Sequence, residues 1–304
     1  MEEALRSFFL QLAKNKGMND WARRYGLRFG ANRFVAGETI ESAIATVRAL
    51  NENNMAVTLD HLGEFVADEQ EARASADFCV RTLEAIHEAG VNSSLSLKLT
   101  QIGMDISEEL CLENMRQIIA CAKSRGLWVN IDMEDFERCQ MTLDIFTSLA
   151  ASYDKLQTVI QSYLYRSLDD VRALAERGAS IRLVKGAYKE PASVAFPDKA
   201  DVDANYLKML DVHLPSPGLT SIATHDERII SYAKEQIAQK GIAKAQYEFQ
   251  MLYGIRNNLQ QQLVDEGYPV RIYVPYGDDW YGYFMRRLAE RPANVSFVMR
   301  GMFQ

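Results

Sequence analysis

Several residues of this 304-residue chain have the types and spacing to do chemistry. The densest group is RLVKGAY, Arg182–Tyr188, where two cations flank a strand end and a glycine follows. Such an end suits an anionic or electron-rich ligand, and Gly186 lets a backbone come close. Strand alternation sends Arg182 and Val184 one way, Leu183 and Lys185 the other. Arg286-Arg287 offers planar guanidinium donors that match a carboxylate, although alone a double arginine reads more often as a basic patch on an outer helix; Glu290 lies four and three positions further on, on the same helical side. Lys98, between Leu97 and Leu99, reads equally as a carboxylate anchor, a Schiff-base nucleophile or a lysine reaching solvent. Asp132 closes the run WVNID and precedes Met133-Glu134-Asp135. Asp60 is expected to fix the loop His61–Glu64, leaving Glu64 to pair with the arginine fork. Thr224-His225-Asp226 suits hydrogen bonding to a cofactor. With four histidines in the chain, multi-histidine metal chemistry is not expected. Tyr273, Tyr276, Trp280, Tyr281 and Tyr283 are pocket walls or core, and for all but Tyr273 the two readings weigh equally.

These side chains need a frame. Apolar runs recur at Ala56–Asp60, Ser94–Leu99, Leu127–Asp132, Thr158–Gln161, Ile181–Lys185, Ser221–Thr224, Tyr247–Gln250 and Val270–Val274. Helical stretches follow them, and nearly every run ends on a polar residue. Strands alternating with helices imply parallel pairing, and eight units imply a closed (β/α)8 barrel. The strand ends then bring Asp60, Lys98, Asp132, Gln161, Arg182, Lys185, Thr224, Gln250 and Tyr273 to one mouth. Helices are expected over Asp68–Glu88, from Ser107 to Arg125, and over Leu168–Arg177, Asp226–Gln239 and Ile255–Glu266, with glycine stops. Residues 1–54 read as a helical extension (segments near Glu3–Asn15, Asn19–Phe29 and Thr39–Asn51), and residues 55–304 as the barrel. Two places break the rhythm: a long loop between Tyr188 and Val202, expected to act as a lid, and the final helix Asp279–Glu290 that carries the fork.

A hydrophobic content of 48% supports a large core and argues against disorder. The net charge of −7 argues against nucleic acid as the main partner. Cys79, Cys111, Cys121 and Cys139 form no CxxC pair, which points to buried free thiols in a reducing cytoplasm. The first twenty residues read as neither a signal peptide nor a membrane span.

Taken in order, SLKL, NIDMED, VIQSYL, RLVKGAY, ATHDE, YEFQMLYG, RIYVPYG and YFMRRLAE resemble the proline dehydrogenases, most closely the monofunctional bacterial type. The resemblance implies a distorted (β/α)8 barrel with non-covalent FAD and the last helix over the mouth. It implies oxidation of L-proline to 1-pyrroline-5-carboxylate by hydride transfer from ring C5 to flavin N5. By the same resemblance Lys98, Arg286 and Arg287 hold the proline carboxylate, and Asp132 lies near the amine. Tyr273 presses on the ring, Leu252 lines the pocket, and Glu64 pairs with the fork. Arg182 sits near N5, while Met133, Gln161, Lys185, Gly186, Ala187, Thr224 and His225 match positions that contact FAD. Electrons pass to a membrane quinone through peripheral contact, and the product goes to a separate pyrroline-5-carboxylate dehydrogenase. Tyr253 and Asp226 depart from the bifunctional relatives, which carry histidine and often asparagine there. Tyr273 favours proline over 4-hydroxyproline. Two rival readings remain at this level: a Schiff-base lyase using Lys98 or Lys185, and a binding module without turnover.

Overall fold

The computed structural model describes residues 33–63, 66–281, 283 and 285. The helices expected at Glu3–Asn15 and Asn19–Phe29, together with Glu64, Arg286, Arg287 and Glu290, lie outside the described residues. Eight parallel strands close into a barrel in sequential order. They are β1 (Ala56–His61), β2 (Ser93–Lys98), β3 (Val129–Asp132), β4 (Leu156–Gln161), β5 (Ser180–Val184), β6 (Thr220–Ala223), β7 (Tyr247–Leu252) and β8 (Val270–Tyr276). Helix α1 (Ile40–Glu52) precedes β1. Helices α2 (Glu69–Glu88), α3 (Glu108–Arg125), α4 (Phe136–Ala150), α5 (Ser167–Glu176), α6 (Lys199–His213), α7 (Glu227–Lys240) and α8 (Asn257–Asp265) follow β1 to β7 in turn. Local chemistry sets their ends. Asp68, Ser107 and Asp135 cap α2, α3 and α4 through side-chain oxygens that accept a backbone N–H, and α3 stops on left-handed Gly126.

Alternation along each strand divides the barrel into two environments. Val57, Leu59, Leu95, Leu97, Val129, Ile131, Ile181, Leu183, Ile222 and Phe249 are fully or almost fully buried in the hydrophobic core. Their neighbours Thr58, Asp60, Ser94, Ser96, Asn130, Asp132, Gln157, Arg182, Ser221, Glu248 and Gln250 are also buried, on the other side of the strands. A barrel interior is more often filled by branched apolar residues. Here it is polar.

Helix α1 packs against β1, β8 and α2, with Ala43 and Val47 buried. That is the outer slot where a helix following β8 would ordinarily lie. The approach to α1 is stitched to the end of β8: the Ala36 N–H donates to the Pro275 carbonyl at 2.9 Å and the Gly277 N–H to the Gly37 carbonyl at 2.9 Å.

The loop read as a lid is fastened. Leu164 and Ala195 form an antiparallel bridge, and the N–H groups of Tyr165 and Phe196 donate to the carbonyls of Val194 and Tyr163. Glu190 accepts the Phe136 N–H at 2.8 Å, and the Tyr165 hydroxyl donates to the Ala192 carbonyl at 2.8 Å. The loop is also shorter than expected, because α6 starts at Lys199 rather than near Val202.

Candidate active site

Asp132 is the hub of the mouth. Register pairs it with Lys98 across β2 and β3. Its Oδ1 accepts the Ser96 hydroxyl at 2.8 Å and Arg182 Nη1 at 2.7 Å; its Oδ2 accepts the Tyr273 hydroxyl at 2.7 Å. Lys98 Nζ lies 3.6 Å from the same Oδ2. The Arg182 guanidinium carbon also stands 5.3 Å from the Tyr273 ring centroid, within cation–π range. Asp132 is 9% exposed and Arg182 4%. Burial pushes the Asp132 carboxyl up, but Arg182, Lys98, Tyr273 and Ser96 outweigh it and hold the group below its usual range. Burial, then the Asp132 and Asp60 charges, raises Tyr273 well above the usual phenol range, so it stays a donor. Two charges about 4 Å apart attract by about 4 kcal/mol at an effective dielectric near 20. Deleting one member of a buried pair costs about 3–5 kcal/mol, so each group depends on the others staying charged.

Asp60 does not serve only the loop that follows β1. It is 2% exposed and accepts from Lys98 Nζ at 3.4 and 3.5 Å. Register sets Leu252 beside Tyr273 across β7 and β8, which places the two expected ring contacts together. The Leu252 N–H donates to His225 Nε2 at 3.0 Å, which assigns the ring proton of a neutral His225 to Nδ1.

The residues expected around a cofactor follow β3 to β6 along one rim. Met133 is buried. The Gln161 amide donates to the Glu134 carbonyl oxygen at 2.7 Å. The Glu134 carboxylate accepts both the backbone N–H and the hydroxyl of Thr100, tying the loops after β2 and β3 together. Lys185 binds Asp203 at 2.5 Å and Asp226 at 2.7 Å. Burial raises Asp226, and the hydrogen bond from Lys185 leads the opposing effects that bring it down to about 2. Thr224 Oγ1 accepts the Asp226 N–H at 3.1 Å, forming the turn into α7. Gly186 and Ala187 are exposed on the rim. A Cβ at Gly186 would lie 2.2 Å from the Tyr163 ring, so contact within the chain already demands glycine there.

Arg182 tests the fit of a cofactor. Its Nε and Nη2 are buried and have no hydrogen-bond partner among the described residues. Guanidinium donors at such depth require an acceptor, and an electron-rich ring system bound at the mouth would supply one. The Schiff-base alternative loses ground in the same geometry. Lys98 and Lys185 both spend their ammonium groups on carboxylates, whereas a lysine nucleophile needs a desolvated amine.

Sequence reasoning passed over Ser96, Glu134 and Tyr163. Ser96 had a signal, since it alternates with Ser94 and Lys98 and must share their side of β2. Glu134 and Tyr163 sit just beyond strand ends and carry no periodic mark.

The fold and the mouth define a barrel enzyme whose strand ends carry a buried ion-pair cluster. The family model for proline dehydrogenase matches residues 43–300. The chain belongs to the proline dehydrogenase family. Proline dehydrogenase 1 of Bacillus subtilis (strain 168) is 49% identical over 300 residues, covering 99% of each chain. Proline dehydrogenase of Deinococcus radiodurans is 50% identical over 279 residues, 90% of each chain. The crystal structure of proline utilization A from Bdellovibrio bacteriovorus, inactivated by N-propargylglycine, superimposes with a TM-score of 0.81 at 27% identity. It covers 90% of this chain and 34% of that one, so the chain spans about a third of that longer protein.

Proposed function

We propose that this chain oxidises L-proline to 1-pyrroline-5-carboxylate with a non-covalent FAD, passes the electrons to a membrane quinone through peripheral contact, and releases its product to a separate dehydrogenase. The observation that carries the reading is the Asp132 cluster, found at the strand ends of a chain that belongs to this family. When bound, FAD supplies the acceptor for the two electrons and hydrogen that leave ring C5 of proline. Met133, Gln161, Arg182, Lys185, Gly186, Ala187, Thr224 and His225 would hold it, with Arg182 Nε and Nη2 as its buried donors.

The rest is the work of the chain. Lys98 gives the proline carboxylate one cation at the mouth; Arg286 and Arg287 supply the others, and Glu64 pairs with them. Asp132 faces the amine. That amine must be neutral to release electrons, so cations around the carboxylate favour loss of its proton while Asp132 opposes it. Tyr273 and Leu252 close on the ring. Holding reacting atoms at near-attack distance can supply about 7–11 kcal/mol of the barrier. No described helix is long and apolar enough to cross a membrane. The four thiols are free and buried, which supports a cytoplasmic setting.

The test is colour. The purified protein is expected to be yellow and to bleach when L-proline is added without oxygen. A yellow protein that proline leaves oxidised, or a colourless one that borohydride traps on a carbonyl compound, would overturn the reading.

A further inference from the structure

We infer that Asp60 is a positioning residue for substrate, acting through Lys98 and not by contact. The inference rests on the proposed role of Lys98 as a carboxylate anchor and deepens it. Asp60 lies at the end of β1, paired in register with Ser96 of β2 and Pro275 of β8, and is 2% exposed. Among the described residues its carboxylate is the one nearest to Lys98, at 3.4 and 3.5 Å against 3.6 Å for Asp132. Asp132 already accepts Ser96, Arg182 and Tyr273 at 2.7–2.8 Å, so its charge is committed to several donors.

The charges facing Lys98 come from several strands: Asp60 on β1, Asp132 on β3, Arg182 on β5 beyond Asp132, and the neutral Tyr273 hydroxyl on β8. Among the described residues, two carboxylates and two cations balance. A substrate carboxylate is a further negative charge, and it must draw Lys98 without stripping it of its counter-ion. The distances of 3.4–3.6 Å are long for hydrogen bonds, so Lys98 is held by charge rather than tied by geometry. Asp60 keeps a side chain that is only 12% exposed charged and aimed at the mouth.

The experiment uses the full-length holoprotein as wild type, Asp60→Asn, Lys98→Met and the double variant. Two quantities are read: steady-state proline oxidation at one pH, and binding of cyclopentanecarboxylate, a ring carboxylate with no amine to oxidise. In Asp60→Asn the proline KM and the probe Kd are expected to rise about tenfold, with kcat within about threefold of wild type. On the Lys98→Met background, adding Asp60→Asn should change neither KM nor Kd. Wild-type constants in Asp60→Asn would overturn the inference, as would a further tenfold loss in the double variant. Should Asp60→Asn alone fail to fold, Lys98→Met and the double variant still decide the question by the same comparison. If proline fails to reduce the wild-type flavin, the dehydrogenase reading falls. The coupling between Asp60 and Lys98 is still judged by probe binding.

Discussion

The Tyr273 hydroxyl and the Asp132 carboxylate meet at 2.7 Å in a buried site, so a change of one oxygen isolates their bond. Tyr273→Phe keeps the ring and its contact with Arg182. It removes a donor to a charged group, a loss of about 1.5–3 kcal/mol. The sign of the pH effect follows from the direction of the shift. Asp132 sits below its usual range in the folded protein, so its contribution is fully present above the ordinary aspartate pKa of about 3.9 and fades as pH falls through the folded value. Losing the Tyr273 donor raises that folded value. Urea unfolding followed from about pH 7 down to pH 3 should therefore show Tyr273→Phe less stable at neutrality and losing its remaining margin at higher pH than wild type. Superimposable pH profiles would mean that the hydroxyl contributes nothing to holding the carboxylate charged.

At the scale of elements, the segment before α1 matters more than its length suggests. Gly254, after β7, has φ +73, and a Cβ there would fall 1.8 Å from the Arg33 carbonyl oxygen. Arg33 Nε also donates to the Gly254 carbonyl at 3.4 Å. Gly254→Ala should push the segment off the rim and loosen the bonds that Ala36 and Gly37 make with the end of β8. Gly241→Ala is the control, because that residue has φ +63 but nothing within 4 Å of its Cβ position. The control bears only backbone strain, about 1–3 kcal/mol. Hydrogen exchange at Ala36 and Gly277 should quicken in Gly254→Ala and not in Gly241→Ala; equal behaviour would show that the segment is not clamped. The elements were more legible than their contacts. All eight runs became strands because period-two apolar spacing and a polar terminus are local signals. Helix α4 went undelimited because its capping Asp135 stands in the acidic run DMED and reads there as site chemistry. The loop before α6 read as a lid because the bridge that fastens it to the end of β4 is made of backbone hydrogen bonds, which no side-chain pattern announces. Asp60 and Lys98 are 38 positions apart, and alternation says only that both face inward, not that they meet.

The barrel closes around a polar interior, and one ion pair sits near the N-terminal ends of its strands. Arg271 Nε binds Glu248 at 2.9 and 3.0 Å, while Nη1 donates to the Val57 carbonyl at 2.7 Å and to Ser94 Oγ at 3.4 Å. Glu248 also accepts from Ser221 at 3.0 Å and from Gln250 at 2.6 Å; Gln157 reaches Ser221, and Asn130 reaches Ser94. The chain of bonds touches every strand but β5. Burial pushes the Glu248 carboxyl up, and Arg271 leads the interactions that bring it below its usual range. A tier of this kind can stabilise the barrel outright, or it can fix strand register at little net gain, since the desolvation of a buried pair offsets much of its attraction. Mutual dependence separates these from a set of independent contacts. Arg271→Leu alone leaves Glu248 buried and unpaired, a loss of about 3–5 kcal/mol, and Glu248→Leu alone does the same to Arg271. The double variant removes both charges together, so it should be more stable than the sum of the single losses predicts, with an interaction energy of about 0.5–3 kcal/mol. Urea unfolding of the three variants and wild type at one pH measures this. Strict additivity would mean that the pair is two independent contacts, and the closure of the barrel would then have to rest on the apolar layer beneath the helices.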